Sequence, residues 1–187
     1  MEGTSAKHKI LYVAIANWYI YVIFLKQIME KKVALVIGAG TSLGSAIARC
    51  FAKDGLIAVV ARRAGEELSS LKKEIEDFGG ICYPFSLDAR KEDDVVRFIQ
   101  KIEDDIGKIE VAVYNIGANI KFDIGETTSQ KYYKVWEMAT FGAFLMGREV
   151  TKKMVPRKRG TIIFTGATAS VRGGSGFAAF AGAKNAK

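Results

Sequence analysis

Glycines at 38, 40 and 44, in the run VALVIGAGTSLGSAIA, form the pattern most suited to holding a ligand. They follow a short apolar run, Val33 to Ile37, and precede a segment with helical spacing. One glycine lets the backbone turn sharply, and another lets a pyrophosphate come close. The helix that follows offers free N–H groups and a partial positive charge at its start. Thr41, Ser42 and Leu43 complete the turn. The spacing is G-x-G-x-x-x-G, not the commoner G-x-G-x-x-G, and small residues also serve helix–strand packing. The strand–turn–helix context favours the nucleotide site.

The next chemically informative residues are Arg62 and Arg63, after a second apolar run from Ile57 to Ala61. An acid at that place would bond a ribose 2′-hydroxyl and favour NAD. A guanidinium pairs with a phosphate dianion, so this sequence favours a 2′-phosphate and hence NADP over NAD. The missing acid also argues against a methyltransferase-type site that grips ribose hydroxyls. The plain alternative is an exposed basic turn.

Other chemistries are excluded by composition. His8 is the one histidine, which leaves no His-rich metal site and no Ser-His-Asp engine. Two cysteines, Cys50 and Cys82, make no disulfide framework and read as core residues. The net charge of +8 is concentrated in part at Lys152, Lys153, Arg157, Lys158 and Arg159. No nucleic-acid motif accompanies it, so this cluster reads as a solvated turn and nucleic acid is not an expected partner.

The elements that must position these residues alternate along the 187-residue chain, which has room for one ordinary domain. Strands are expected at Val33–Ile37, Ile57–Ala61, Ile81–Ser86, Val111–Ile116 and Thr161–Phe164. Pro84 donates no ladder hydrogen bond, which puts the third strand at a sheet edge. Leu43, Ala46, Ile47, Cys50 and Phe51 mark the apolar face of the first helix. Leu68, Leu71, Ile75 and Phe78 mark the second helix, and Val95, Ile99, Ile102 and Ile106 the third. Thr127 with Gln130 suggests a capping box for a long helix carrying Val135, Met138, Leu145 and Met146. This order predicts an α/β fold, a Rossmann-like doubly wound parallel sheet of about five strands.

From about Lys32 to Lys187 the ordered motifs resemble the short-chain dehydrogenase/reductase family. Ile37-Gly38-Ala39-Gly40-Thr41-Ser42-Leu43-Gly44 is similar to its T-G-x-x-x-G-x-G motif, with Ser42 in place of the middle glycine. Leu87-Asp88 resembles the acidic position whose carboxylate contacts the adenine amino group. Tyr114-Asn115-Ile116-Gly117 resembles N-N-A-G, so Asn115 and Gly117 would line the adenosine. The resemblance implies hydride chemistry on a small-molecule carbonyl or alcohol.

The family's proton relay uses a Tyr and a Lys four residues apart, the ammonium lowering the phenol pKa. Lys184 matches and would bind nicotinamide ribose hydroxyls, the plain alternative being a solvated terminal lysine. Phe180 stands in the tyrosine place, Ala167 in that of the carbonyl-polarising serine, and Ala139 in that of the helix asparagine. Thr168, beside Ala167, is the best candidate for a rescuing hydroxyl. Loss of the standard chemistry outweighs rescue, which leaves a non-catalytic NADP-binding protein or partner subunit as the alternative.

Residues 10–25, ILYVAIANWYIYVIFL, carry no charge. As a helix the run would be about 24 Å long, short of a hydrocarbon core of about 30 Å. It reads as an extension outside a domain starting at Met29, as a membrane anchor, or as a signal peptide without a following cleavage site. The expected organisation is therefore 1–28 as extension or anchor and 29–187 as an NAD(P)-binding domain, cytoplasmic or on the cytosolic face of a membrane. The family's domain continues beyond the Lys-bearing helix, so the fifth strand is expected at an exposed edge and the product to be marginal. The family often associates through its long helix and its Lys-bearing helix, which makes a homo-oligomer an expectation.

Overall fold

Val33, Leu35 and Ile37 alternate with Ala34 and Val36 along the first strand, and all five are fully buried. Period-two alternation sends the two sets to opposite faces, so a strand apolar on both must be covered on both. A computed structural model of the chain describes Trp18 and residues 30–187. The chain divides into two units, Met1–Lys31 and Lys32–Lys187. The candidate anchor at residues 10–25 falls, Trp18 aside, outside the described residues. Among the described residues no helix is long and apolar enough to cross a membrane.

Five strands form one sheet: β1 (Lys32–Ile37), β2 (Ile57–Arg62), β3 (Cys82–Ser86), β4 (Lys108–Tyr114) and β5 (Thr161–Phe164). Their order is β3-β2-β1-β4-β5, and every pairing is parallel. The helices are α1 (Leu43–Lys53), α2 (Ser69–Asp77), α3 (Glu92–Lys101), α4 (Ser129–Trp136), α5 (Gly142–Arg157) and α6 (Ala178–Asn185). On one face Val36 and Val60 pack with Ala48 and Ala52 of α1 and with Leu71 and Ile75 of α2. On the other, Leu35 and Val59 pack with Val95 and Ile99 of α3 and with Leu145, Met146 and Val150 of α5. This is the Rossmann-like doubly wound sheet expected from the sequence.

Pro84 pairs in register with Val60 on the edge strand β3, as its missing donor requires. β5 is the opposite edge, and three of its four residues are exposed. Other expectations need correction. The buried face of α1 is Gly44, Ser45, Ala48 and Ala52, while Leu43 is 54% exposed. Cys50 lies on the exposed face, so it is not a core residue. Small residues let this helix lie close over the turn, an advantage a hydrophobicity pattern does not register. Cys82 is buried, which pushes its thiol up to about 11 and leaves it a small apolar residue in effect.

The cap of α4 is Thr128, whose hydroxyl accepts from the Lys131 N–H at 3.2 Å, not Thr127. The long helix is two helices joined by a π turn over Glu137–Phe141. The basic cluster is a solvated turn only at Lys158 and Arg159, which are exposed beyond the end of α5. Lys152, Lys153 and Arg157 belong to α5, and Arg157 donates at 2.6 Å to Glu103, whose side chain is only 4% exposed. Arg157 also donates to the Ile109 carbonyl, and Arg159 pairs with Glu110. These guanidiniums satisfy carboxylates that burial would otherwise penalise.

Candidate functional site

Because all five strands are parallel, the segments that follow them emerge along one edge of the sheet. The chain leaves β1 for β2 on one side and reaches β4 on the other, so a crevice opens between the ends of β1 and β4. Asn115 fastens this point. Its backbone N–H donates to the Ile37 carbonyl at 2.8 Å, and its side-chain amide donates to the Gly38 carbonyl at 3.0 Å.

Two of the three glycines are required by the protein's own geometry. Gly38 has φ +93°, and a Cβ there would lie 2.9 Å from the Asn115 carbonyl carbon. A Cβ at Gly44 would collide with the Gly38 carbonyl oxygen. Gly40 differs: a Cβ there would meet nothing within 4 Å, so its bare backbone faces open space. Ser42 makes no side-chain cap to α1, and the first turn of α1 holds no acid. The Ser45 and Ala46 N–H groups donate to the Gly40 and Ser42 carbonyls, which leaves those of Leu43 and Gly44 at the positive helix end without a backbone acceptor. The residues present therefore fit an anionic group at this turn.

A cavity of about 500 Å³ runs from this turn across the strand ends. It is lined by Gly38 and Gly40 after β1, Arg62 and Arg63 at β2, Asp88 and Arg90 after β3, and Asn115 and Gly117 after β4. A smaller hollow of about 100 Å³ on the α1 side is lined by Thr41, Ser45, Arg49, Arg62 and Glu67. Gly38, Gly40, Arg62, Arg63, Asp88, Asn115 and Gly117 thus share one cavity, and Thr41 lies in the adjoining one. Ser42 and Leu43 line neither, and their side chains contribute nothing seen here.

Asp88 accepts from Arg90 three times, at 2.8 Å and 2.6 Å from the guanidinium and 3.2 Å from the backbone N–H. The Arg90 side chain beside it holds the Asp88 carboxyl below its ordinary value. Arg90 also lies 3.8 Å from Glu137. Sequence reasoning missed both Arg90 and Glu67; the available signal was a guanidinium two residues past the marked acid and a carboxylate five past Arg62.

At the β4–β5 side the side chains change character. Lys184 is only 7% exposed, which overturns the solvated-lysine alternative, and its Nζ donates to the Thr165 carbonyl at 2.9 Å. It lies directly behind Gly117, where a Cβ would come within 3.0 Å of Lys184 Cε. Phe180 is buried, its ring centroid 5.9 Å from that Nζ. Ala139 is fully buried among Ala118, Val135, Ala179 and Ala183. Thr168 is exposed and lines neither cavity; the hydroxyl engaged beside Ala167 is that of Ser170, which accepts the Ala167 N–H at 2.9 Å. Tyr114 offers no substitute phenol. Its hydroxyl donates to the Met138 carbonyl at 2.6 Å, and burial raises its pKa above the ordinary phenol value. Lys187 donates to the Ile116 carbonyl at 2.9 Å. Burial first, and then the charge of Lys184, lower it to about 7.

Parallel strands wound both ways about a glycine turn, with a polar crevice at the carboxyl edge, define a Rossmann-like nucleotide-binding type of domain. The family model for short chain dehydrogenase matches residues 32–187, and the chain belongs to that family of oxidoreductases. It is 31% identical over 160 residues to a 2-dehydro-3-deoxy-D-gluconate 5-dehydrogenase of Pseudoalteromonas atlantica, covering 84% of this chain and 63% of that protein. The chain spans less than two thirds of the length of the curated relatives it matches. Its fold resembles the crystal structure of a short-chain dehydrogenase from Rhodopseudomonas palustris, with TM-score 0.79 and 48% identity over 83% of this chain and 73% of that one. It also resembles an actinorhodin polyketide ketoreductase with NADPH (TM-score 0.79, 26% identity, 83% and 60% covered). An NAD+-bound xylitol dehydrogenase is similar to the same degree (TM-score 0.79, 27% identity, 83% and 60% covered).

Proposed function

We propose that this chain is an NADP-binding short-chain dehydrogenase that holds the dinucleotide without the family's usual proton relay. The observation that carries it is the single cavity joining the bare turn at Gly40 to Arg62, Arg63, Asp88, Asn115 and Gly117. Gly38, Gly40 and Gly44, with the N–H groups of Thr41, Ser42 and Leu43, hold the pyrophosphate. Arg62 and Arg63 take the 2′-phosphate, which an uncharged 2′-hydroxyl would not reward equally. Asp88 remains an acceptor for the adenine amino group through Oδ2, which takes one hydrogen bond from Arg90 where Oδ1 takes two. Asn115 and Gly117 line the adenosine side, and Lys184 serves the nicotinamide ribose.

When bound, the nicotinamide ring supplies the carbon that exchanges hydride with a carbonyl or alcohol. Around it this chain's own groups are poorly suited to move the accompanying proton. Phe180 has no ionisable hydrogen, the Ala167 methyl polarises no carbonyl, and Tyr114 is held away on a backbone acceptor. Loss of a general acid costs about 10²–10⁴ in rate. The test is titration of the full chain with NADPH by fluorescence, followed by a panel of carbonyl compounds. Saturable NADPH binding, weakened about tenfold by Arg62→Ala, with negligible NADPH consumption, is expected. A folded protein that ignores NADPH would defeat the nucleotide assignment.

A further inference from the structure

The β2 end of the cavity holds a carboxylate where a phosphate-reading site would be expected to hold only cations. Glu67 Oε2 lies 2.7 Å from Arg62 Nη1, with the two side chains 55% and 30% exposed. Both residues line both the main cavity and the smaller hollow beside the turn. The acid is held there by the fold. It sits in a 3₁₀ turn, Gly65–Leu68, whose Leu68 is buried beneath. The turn is tied to β3: the Gly65 N–H donates to the Ser86 hydroxyl at 3.1 Å, and that hydroxyl donates to the Arg63 carbonyl at 2.9 Å. A Cβ at Gly65 would come within 2.6 Å of the Ser86 nitrogen, so this closeness also requires glycine.

Charges in the hollow are therefore largely matched before any ligand arrives. Arg49 is paired with Glu74 at 2.8 Å and Arg62 with Glu67. An adenosine bearing a free 2′-hydroxyl can donate to Glu67 while the Arg62–Glu67 pair stays intact. An adenosine bearing a 2′-phosphate must share the Arg62 guanidinium, which Glu67 engages at Nη1, and sit near a like charge.

We propose that Glu67 is a cofactor-specificity residue, a counterweight to Arg62 that favours the ribose 2′-hydroxyl and narrows the preference for NADP over NAD. The proposal rests on the nucleotide reading of this cavity and adds to it a named acid that acts against the paired arginines. It makes the protein a dual-cofactor binder whose NADP selectivity is set by the competition between ligand phosphate and Glu67 for one guanidinium.

The experiment is fluorescence titration of the full chain, wild type and Glu67→Gln, with NADPH and with NADH at one fixed ionic strength. Glu67→Gln should tighten NADPH and weaken NADH, so that the ratio of their dissociation constants shifts about tenfold toward NADPH. Glu67→Lys should shift it further the same way, giving a graded series at an exposed position. An unchanged ratio, or one that moves toward NADH, in variants that bind either nucleotide overturns the role of Glu67 and leaves the cavity assignment standing. Failure of folded wild type to bind either nucleotide overturns the cavity assignment and this proposal with it.

Discussion

On the β3–β2–β1 side of the cavity, side chains with charge and hydrogen-bonding capacity face a bare backbone turn: Arg62, Arg63, Glu67, Asp88 and Arg90. On the β4–β5 side, Lys184 is folded onto the Thr165 carbonyl, and Phe180, Ala167 and Ala139 stand where proton-handling groups are expected. The same sheet edge supports both. Arg63, Asp88, Asn115 and Gly117 sit on short segments after their strands, while Phe180 and Lys184 sit on α6 and Ala139 in the π turn, so the two halves are specified by separate residues and can change separately. On the proposed reading, the first half keeps the groups that would hold an anionic nucleotide, while the second keeps only the lysine.

The sharpest way to break this contrast is to rebuild the reacting half. The double variant Phe180→Tyr/Ala167→Ser should raise NADPH consumption with a suitable carbonyl by about 10² or more, the size of effect general acids supply. NADPH absorbance followed over time with a carbonyl panel reads this directly. No increase, with NADPH affinity unchanged, would show that the two replacements are not what limits turnover.

A smaller effect comes from the paired lysines. The folded-state pKa of Lys187 is lowered to about 7 from 10.5, so its ammonium is a burden that folding carries. That burden is fully present below about pH 7. It is relieved as pH rises toward 10.5, the range in which the unfolded chain binds more protons than the folded one. Denaturant melts across this range should show stability rising with pH, and Lys187→Met should remove that part of the slope. An equal slope in the variant would place the titration elsewhere.

Much of the fold is legible in the sequence because it rests on short apolar runs separated by turn residues. β5 falls at its expected residues, and Pro84 locates an edge by a single missing donor. The face of α1 was legible only in Ile47 and Phe51, which pack on the core, because Gly44, Ser45, Ala48 and Ala52 are chosen for size and the apolar Leu43 and Cys50 face outward. Arg157 reads as part of a basic turn until its partner Glu103, 54 positions away, is seen buried beside it. The same holds at the site. The glycines, Arg62, Arg63, Asp88, Asn115 and Gly117 announce themselves by position after a strand. Arg90 and Glu67 do not, since a short loop and a 3₁₀ turn decide what they meet.

The central claim is that the turn from Gly38 to Gly44 receives the phosphate bridge of the dinucleotide. Amide NMR spectra of the full chain recorded during NADPH addition test it most directly. The largest shifts should fall on the backbone N–H groups of Gly40, Thr41, Ser42, Leu43 and Gly44, with a second set at Arg62 and Arg63. Saturable binding that leaves those amides unmoved and shifts another region instead would contradict it.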